Sequence, residues 1–540
     1  MPHRSGRRRP VTVDKNPTAG LIRQAQYFPE SIALDYEDQI WTYAELVRDI
    51  EAWAKVLEGR GVRPGDRVAF LGMNSSSFVI SMFASWWIGA IFTPLNYRLV
   101  SQEVLDLLDQ AAPRLLIVEP SHRETVDHIS YLPELNDVEL LLVDTDPAVP
   151  LDVEVRLPWF LLSARLEKYG TREAPEFVSA VDDDLAMIMF TSGTTGRPKG
   201  VELTHGNLWW NSVNVDSIVD TRRGDTNYTA TPLFHIGALN ALTIRAFVRG
   251  SKTVIRRQFD PAQALADIER HRANQAFMVP AMLKAMEAQP GFVAADLTSM
   301  RALICAGAPV PPVVIRSYLK KGIAVQQAWG LTETAPFATY LPTELTADKA
   351  GSCGLPMPFT QVRIVDPETL EHVTDPGSTG EMWVRGPNVT RGYWNNRLAT
   401  EQSFHEGWFR SGDIGHTDDD GYLYIVDRLK DTVITGGENV YPAEVERVLM
   451  EMPGIRDIAI VGLPDEKWGE AVVAVATLDG TEEVTIDELR EFAGRHLARY
   501  KIPKTLVVVD DLVRTPAGKL NKTEIRAIAR QRTVTEEATA

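Results

Sequence analysis

The sequence contains very little cysteine. Cys305 and Cys353 are the only two among 540 residues. Two cysteines are too few for the disulfide framework of a small secreted domain or for a four-ligand zinc site. The scarcity favours a reducing environment, so we expect a cytoplasmic protein in which both cysteines are packing residues.

Positive charge is also in short supply. The chain has 56 lysines and arginines against 73 aspartates and glutamates, which gives a formal net charge of -17. Nucleic acids attract strongly basic surfaces, so this acidic balance argues against a nucleic-acid partner. Anionic small molecules must instead be held by a few local cations.

The sequence lacks a convincing membrane-spanning segment. The stretch 78–95 is nearly uncharged and about long enough to cross a bilayer. However, Gly89 and Pro94 interrupt it, and Asn74 with residues 75–77 has the composition of a helix N-cap. A buried helix followed by a strand explains the stretch better. We expect no span, and the sequence leaves peripheral membrane contact open.

The first residues are basic but are not followed by the apolar segment of a secretory signal. Four arginines fall within the first ten residues. We expect residues 1–15 to form a disordered basic tail and residues 531–540 to form a second tail.

Short apolar runs alternate with helix-like segments along the chain, as in an α/β protein. Residues 67–71, 115–118 and 302–305 are typical of strands buried on both faces, and residues 261–271 are typical of a connecting helix. The elements shorten after Asp427. We therefore predict an α/β fold, with a large N-terminal domain of mixed, mainly parallel sheets and helices and a small α/β C-terminal domain.

A loop rich in glycine, hydroxyls and cations follows the apolar run 185–190. Its residues are Thr191, Ser192, Gly193, Thr194, Thr195, Gly196, Arg197, Pro198, Lys199 and Gly200. Backbone N–H groups, hydroxyls and two cations together suit a phosphate. The spacing does not match a Walker loop, because Pro198 and Gly200 stand where glycine and a magnesium-binding hydroxyl belong. This mismatch disfavours a kinase or GTPase, although a glycine-rich turn is the simpler alternative.

Together with that loop, six further segments resemble the adenylate-forming superfamily of acyl-CoA synthetases, aryl-CoA ligases, luciferases and peptide-synthetase adenylation domains. Each segment alone is a weak signal, whereas the set in chain order is specific. The segments are Pro232-Leu233-Phe234-His235, Ala306-Gly307-Ala308-Pro309, Trp329-Gly330-Leu331-Thr332-Glu333, Ser411-Gly412-Asp413, Asp427-Arg428-Leu429-Lys430-Asp431 and Pro516-Ala517-Gly518-Lys519.

The resemblance implies two half-reactions that use ATP, Mg²⁺ and coenzyme A. In the first, a carboxylate attacks the α-phosphorus of ATP, so cations must offset the repulsion between two anions. The resemblance assigns the β- and γ-phosphates to the loop 191–200, magnesium to Glu333 and Thr191, and the α-phosphate to Thr332. Lys519 is the expected catalytic cation.

The resemblance also implies a nucleotide site. Asp413 would accept hydrogen bonds from the ribose hydroxyls, with Arg428 beside it. Ala306, Gly307, Ala308, Pro309, Trp329 and Gly330 would surround the adenine. Many relatives have tyrosine where this chain has Trp329, so stacking is retained while a phenol hydrogen bond is lost.

A mobile C-terminal lid is a further implication. We expect a large domain over residues 16–429 and a lid over residues 430–530, with Lys430 as the hinge between the two half-reactions. The paired glycines Gly436 and Gly437 would line a tunnel for the CoA thiol.

Simpler interpretations remain open for several of these residues. Asp413 is compatible with an ordinary turn, His235 with a core histidine, residues 436–437 with a tight turn and Lys519 with a solvated loop.

The resemblance places His235 beside the substrate carboxylate, where peptide-synthetase relatives have aspartate. This replacement speaks against an amino-acid substrate. Small or flexible residues fall where relatives line the acyl channel, namely Gly237, Ala238, Ala241, Met278, Val279 and Ala281. We therefore expect an apolar carboxylic acid, with a medium- or long-chain fatty acid favoured over an aryl or alicyclic acid.

Other functions remain as alternatives. The chain ends at Ala540 with no carrier-domain attachment serine, so free CoA is the expected acceptor. An acyl-AMP ligase that loads a separate carrier protein is the main alternative. A luciferase-like oxidase and a non-catalytic nucleotide-binding regulator are more remote. The sequence leaves the oligomeric state open.

Overall fold

The computed structural model describes residues 13–151, 158–191, 198–308, 310–435, 438–465, 468–480, 484–497, 499–515 and 519–537. The chain divides into two compact units. The first contains residues 1–362 and 384–409, and the second contains residues 363–383 and 410–540.

The described residues form α-helices and β-strands in alternation. The helices are α1 (Pro17–Tyr27), α2 (Tyr43–Gly59), α3 (Ser76–Trp87), α4 (Ser101–Ala111), α5 (Arg123–Asp127), α6 (Leu162–Gly170), α7 (His205–Ile218), α8 (Ile236–Ala238), α9 (Ile244–Arg249), α10 (Pro261–His271), α11 (Pro280–Glu287), α12 (Pro312–Lys320), α13 (Arg397–Ser403), α14 (Pro442–Leu449), α15 (Ile486–Gly494) and α16 (Lys522–Glu537). The strands are β1 (Ile32–Tyr36), β2 (Gln39–Thr42), β3 (Arg67–Leu71), β4 (Ile91–Leu95), β5 (Leu115–Val118), β6 (Glu139–Leu142), β7 (Trp159–Leu161), β8 (Leu185–Thr191), β9 (Lys199–Thr204), β10 (Thr226–Thr229), β11 (Lys252–Ile255), β12 (Gln275–Met278), β13 (Ala302–Cys305), β14 (Val325–Gly330), β15 (Phe337–Tyr340), β16 (Leu355–Pro356), β17 (Gln361–Val365), β18 (Gly380–Arg385), β19 (Phe404–His405), β20 (Trp408–Thr417), β21 (Leu423–Arg428), β22 (Val433–Thr435), β23 (Glu438–Val440), β24 (Ile455–Asp465), β25 (Gly469–Leu478) and β26 (Thr505–Val508).

The first unit contains two large sheets that are mainly parallel, which confirms the predicted α/β class. The seven-stranded sheet has the order β7-β6-β5-β3-β4-β8-β9, and the nine-stranded sheet has the order β16-β15-β14-β13-β12-β10-β11-β1-β2. Antiparallel pairing is confined to their ends, at β8–β9, β14–β15–β16 and β1–β2. In parallel sheets the loops at the carboxyl ends of the strands form the binding edge.

The apolar stretch 78–95 folds as predicted. It forms most of α3, whose twelve residues are all buried, and then the buried strand β4. Ser75 caps α3 by accepting the Phe78 N–H at 3.1 Å. Among the described residues, no helix is long and apolar enough to span a membrane.

The last residues of the predicted basic tail bond to the first unit. Residues 1–12 lie outside the described residues, but Asp14 and Lys15 are held by the first unit. The Asp14 carboxylate accepts the Ala180 N–H at 3.0 Å, and the Lys15 N–H donates to the Ala180 carbonyl at 2.8 Å. Lys15 also lies over the Trp209 ring, 4.5 Å from its centroid.

The second unit has its own core. β24 and β25 form a long antiparallel pair, β22 and β26 both join β25, and α14, α15 and α16 complete the unit. These elements confirm the predicted small α/β C-terminal domain. Helix α16 continues to Glu537, so the predicted tail over residues 531–540 is wrong for residues 531–537.

The boundary of the second unit differs from the predicted domain boundary at Lys430. Residues 410–429 group with the second unit because β20 pairs with β21, and the Asp427 carboxylate accepts the Ala443 N–H at the start of α14 at 2.7 Å. The division into compact units shows which residues pack together, whereas a hinge is defined by a change of backbone conformation between two states. The hinge at Lys430 therefore stays a prediction.

A buried ion pair fixes the connection between β11 and α10 in the first unit. Arg256 makes two hydrogen bonds to Asp267, at 2.7 and 2.9 Å, and both side chains are almost fully buried. These bonds raise the pKa of Arg256, so the guanidinium stays charged.

Replacing Asp267 by alanine should destabilise the first unit by about 1.5–3 kcal/mol, because the buried guanidinium loses its two-point partner and keeps only the longer contacts to Asp38 and Asp35, at 3.3 and 3.8 Å. The midpoint of thermal unfolding measures this change. Glu401→Ala is the control, because it removes the exposed pair between Glu401 and Arg397 and should change the midpoint little. Equal shifts for the two variants would contradict the structural role of the buried pair.

Candidate active site

The predicted phosphate loop joins two antiparallel strands at the end of the seven-stranded sheet. Thr191 is the last residue of β8 and pairs directly with Lys199, the first residue of β9. The side-chain hydroxyl of Thr191 also lies 3.5 Å from the Lys199 carbonyl oxygen. The predicted residues Ser192, Gly193, Thr194, Thr195 and Gly196 lie outside the described residues.

A second segment runs beside β9 and brings Tyr393 to the loop. The Trp394 N–H donates to the Gly200 carbonyl at 2.7 Å, and the Glu202 N–H donates to the Gly392 carbonyl at 3.0 Å. This pairing places the Tyr393 ring under the loop lysine, with the Lys199 Nζ atom 5.0 Å from the ring centroid. A cation at this distance from a ring face is attracted by it.

Tyr393 in turn holds the predicted magnesium ligand. Its hydroxyl donates to Glu333 Oε1 at 2.8 Å, in a buried environment. Burial, together with the neighbouring Glu333 carboxylate, raises the pKa of Tyr393, so the phenol stays protonated and remains a donor. The structure thus brings Lys199 and Glu333 together through a residue that the sequence analysis missed.

The turn that carries Glu333 begins at the end of β14. Thr332 and Glu333 lie in a short 3-10 helix, Thr332–Thr334. Gly330 precedes it, and a Cβ atom there would lie 1.8 Å from the Pro336 carbonyl oxygen, so only glycine allows this close approach. Trp329 is buried, and its backbone pairs with Thr339 on β15.

Buried asparagine amides hold the same turn. Asn240 donates to the Ala335 carbonyl at 2.5 Å, and Asn388 donates to the Thr334 and Phe337 carbonyls at 2.8 and 2.9 Å. Asn211 on α7 supports Asn240 by donating to its carbonyl at 2.7 Å. These bonds satisfy backbone carbonyls that a tight buried turn cannot pair within itself.

The asparagines of α7 form a polar stripe on one buried helix face. Asn207, Asn211 and Asn214 are spaced four and three residues apart, and all three are buried. Their spacing is visible in the sequence, where three asparagines on one face of a helix are a signal for a buried polar network. This asparagine network is not among the features predicted from the sequence.

The segment predicted to contact adenine follows β13. Gly307 has a positive φ of 92°, which favours glycine, and Ala308 is exposed next to it. A Cβ atom at Gly307 would lie 3.6 Å from Val279, so this loop lies against the end of β12. Pro309 lies outside the described residues.

His235 ends a tight turn at the carboxyl end of β10. Its N–H donates to the Pro232 carbonyl at 3.1 Å, and the half-buried imidazole lies 4.2 Å from the Phe234 ring, centroid to centroid. Phe234 also packs edge-on against Tyr97, which follows β4. His235 is therefore placed at the edge where the carboxyl ends of both large sheets meet.

The residues predicted to line the acyl channel divide between two faces of β12. Phe277 packs with Ala241, and Met278 packs in a separate core with Leu283 and other apolar residues, whereas Val279 contacts both cores. Side chains alternate across a strand, so Met278 points away from the face that Phe277 occupies. The structure thus places Met278 away from the face that contains Ala241. Ala281 is exposed.

Phe277 packs against the backbone two residues after His235. A Cβ atom at Gly237 would lie 2.7 Å from Phe277 Cζ, so the ring packs directly onto the glycine backbone. The sequence analysis identified Gly237 but did not identify Phe277.

The second unit contains the remaining predicted residues. Asp413 and Arg428 face each other on β20 and β21, and their side chains form an ion pair at 2.5 Å in which the carboxylate is buried. Lys430 lies in the short 3-10 helix Leu429–Asp431. The Lys519 carbonyl accepts the Thr515 N–H at 2.7 Å. Gly436 and Gly437 lie outside the described residues.

The residues of the first unit suit a magnesium–nucleotide complex. Mg²⁺ prefers hard oxygen ligands and is usually bound by one or two carboxylates together with substrate phosphates. Glu333 supplies a carboxylate whose orientation is fixed by Tyr393, and Lys199 supplies a cation near it. When bound, the ion would neutralise charge on the phosphates.

Comparisons with known proteins agree with this geometry. Residues 21–394 match the family described as AMP-binding enzyme, and residues 444–519 match the AMP-binding enzyme C-terminal domain. A feruloyl-CoA synthase of Amycolatopsis sp is 40% identical over 94% of this chain and 97% of the relative. Long-chain-fatty-acid–CoA ligase FadD13 of Mycobacterium tuberculosis is 36% identical over 90% of this chain and 92% of the relative.

A solved structure shares the whole fold. O-succinylbenzoate coenzyme A synthetase from Bacillus subtilis, in complex with ATP and magnesium ion, superposes with a TM-score of 0.80 and 32% identity, over 94% of this chain and 98% of that chain. This chain belongs to the AMP-binding enzyme family, the adenylate-forming enzymes. Within that family it is an AMP-forming acid–CoA ligase that uses ATP, Mg²⁺ and coenzyme A.

Replacing Tyr393 by phenylalanine should slow acid-dependent pyrophosphate release by about 10- to 10²-fold. A hydrogen bond to a charged group contributes about 1.5–3 kcal/mol, and each 1.4 kcal/mol corresponds to tenfold. The apparent KM for magnesium–ATP should rise as well. Tyr318→Phe is the control, because it also removes a buried hydroxyl bond, 3.0 Å to the Leu283 carbonyl, in a different core. A Tyr393→Phe enzyme as active as this control would refute the role of the bond.

Proposed function

We propose that this ligase activates an apolar carboxylic acid, with a ring-bearing aryl acid as the first candidate and a medium- or long-chain fatty acid as the second. The observation that carries the proposal is the contact between Phe277 and Gly237. An aromatic ring in that position shortens the space behind His235 and offers a flat apolar surface to another ring.

The relatives support both candidates. Feruloyl-CoA synthase and O-succinylbenzoate coenzyme A synthetase are named for acids that contain an aromatic ring, and FadD13 is named for long-chain fatty acids. The fatty acid favoured from the sequence is proposed in second place, because the small or flexible residues on which it was based include Met278, which packs in a separate core with Leu283.

The proposed reaction proceeds in two displacements. A carboxylate oxygen of the acid attacks the α-phosphorus of ATP, and pyrophosphate leaves. The CoA sulfur then attacks the acyl carbonyl, and AMP leaves. His235 is proposed to orient the carboxylate, and the cations Lys199 and Lys519 are proposed to offset the negative charge of the phosphates.

The nucleotide contacts are proposed on the same basis. Asp413 is proposed to accept the ribose hydroxyls while Arg428 keeps its carboxylate charged, and Thr332 is proposed to contact the α-phosphate. Gly307, Ala308 and Trp329 are proposed to surround the adenine, because they stand at the ends of the neighbouring strands β13 and β14.

Thioester formation by the purified protein tests the proposal directly. The assay contains ATP, Mg²⁺ and CoA and compares cinnamic, benzoic and alicyclic acids with fatty acids from short to long. The highest kcat/KM with a ring-bearing acid supports the first candidate, and the highest with a long alkyl acid supports the second. Pyrophosphate release without acyl-CoA would instead support an enzyme that loads a carrier protein.

Replacing Phe277 by alanine should shift this preference toward longer acids. Removing the ring lengthens the pocket, and a hydrophobic pocket discriminates by about 1–3 kcal/mol per methylene, so kcat/KM for a longer acid relative to benzoic acid should rise by about 10-fold or more. Phe292→Ala, in a separate core, is the control for general loosening. An unchanged ratio would remove Phe277 from the acid pocket.

Replacing Lys519 by alanine should reduce adenylation by about 10²-fold, as expected for one charge-stabilising group, while ATP binding stays nearly intact. Lys501→Ala is the control within the second unit, because Lys501 pairs with Glu444. Single-turnover formation of the acyl-adenylate measures the step, and an unchanged rate would show that Lys519 is not the catalytic cation.

A further inference from the structure

A buried side chain, Asn74, bonds the loop that carries His235 to the end of the other large sheet. Asn74 follows β3 of the seven-stranded sheet, whereas residues 230–235 follow β10 of the nine-stranded sheet. Its side chain is about 1% exposed. The helix that begins next to it is capped by Ser75, so Asn74 is not needed as the cap.

The Asn74 amide pairs with the loop at two points. Its Oδ1 atom accepts the Leu233 N–H at 2.8 Å, and its Nδ2 atom donates to the Thr231 carbonyl at 3.0 Å. A carbonyl and an N–H two residues apart are the pair that a neighbouring β-strand would bind. The side-chain amide thus replaces a strand at the point where the sheet has ended.

A third hydrogen bond connects the Asn74 amide to the neighbouring loop after β11. The second Nδ2 hydrogen donates to the Arg256 carbonyl, at 3.1 Å, just after β11. The ladder between β10 and β11 ends at this level, where the Arg256 N–H donates to the Thr229 carbonyl at 3.0 Å. Asn74 therefore supplies the bonds that both loops need after they leave the sheet.

We propose that Asn74 is a positioning residue that sets the location of His235 for the acid substrate. This inference rests on the proposed function of His235. The turn from Pro232 to His235 is closed by its own N–H bond, so the imidazole moves with the backbone that Asn74 holds. A displacement of about 1 Å in a positioning element can cost about 10²-fold in rate.

The test compares Asn74→Ala with Asn16→Ala. Asn16 is an equivalent buried asparagine remote in the chain, with bonds to the Trp86 and Val178 carbonyls at 2.8 and 2.9 Å and from the Thr18 N–H at 3.0 Å. Asn74→Ala should raise KM for the acid by about 10-fold or more and leave KM for ATP within about twofold, whereas Asn16→Ala should change neither. Both variants should unfold at a lower temperature than the wild type.

A second substitution examines the direction of the bonds. Asn74→Asp keeps an acceptor for the Leu233 N–H but turns a carboxylate oxygen toward the Thr231 and Arg256 carbonyls, so its KM for the acid should rise at least as much as that of Asn74→Ala. If Asn74→Ala does not fold, Asn74→Ser, with one hydroxyl donor, undergoes the same comparison.

The outcomes separate this inference from the proposed function. If the wild type activates no acid of the panel, the proposed function fails. If the wild type is active but KM for acid and ATP rise equally in the Asn74 variants, or if Asn16→Ala behaves in the same way, the positioning role is refuted. An acid-specific rise confined to Asn74 supports it.

Discussion

The active-site edge of this enzyme depends on how buried backbone groups find partners where parallel strands end. Strand ladders satisfy the backbone within each sheet, but the loops beyond them turn sharply while still buried. An unpaired buried carbonyl or N–H costs about 1–3 kcal/mol. Asparagine side chains supply the missing partners here, with Asn240 and Asn388 at the Glu333 turn and Asn74 at the His235 loop. The side chains of Glu333 and His235 have defined positions because these amides fix the backbone segments to which they belong.

The same edge also explains how an acidic protein handles a polyanion. The net charge of -17 repels ATP at long range, but salt screens this effect over about 10 Å. Inside the site, individual short-range contacts, rather than the net charge, determine how an anion is held. Tyr393 keeps its proton because burial and Glu333 raise its pKa, so it orients the carboxylate without adding charge. The loop lysine Lys199 lies over the face of the same ring. One phenol thus organises a cation and an anion at once.

The sequence predicted much of this arrangement because the contributing segments are local. The apolar runs became strands, α3 became the buried helix, and the segments around Thr191, Glu333 and Asp413 lie at strand ends or on paired strands. Contacts between distant segments were not predictable from local patterns. Tyr393 meets Glu333 only because residues 390–394 pair with β9, and the placement of Met278 requires knowing which face of β12 each residue occupies. The grouping of residues 410–429 with the second unit likewise depends on the pairing of β20 and β21.

Asn74 joins the two sheets through backbone atoms alone, so the contact between the sheets does not depend on the side chains that select the acid. The proposed acid pocket contains Phe277 on β12 of the nine-stranded sheet and the residues after His235, whereas the predicted phosphate loop joins β8 and β9 of the seven-stranded sheet. A substitution of Phe277 would alter the proposed pocket and leave β8 and β9 unchanged. The carboxylate of the acid must still be held at a fixed position relative to the phosphates. The contact that joins the two sheets should therefore not involve the side chains that line the pocket. A fully buried amide bonded only to backbone atoms meets that requirement, since its partners are unchanged by any side-chain substitution around the substrate.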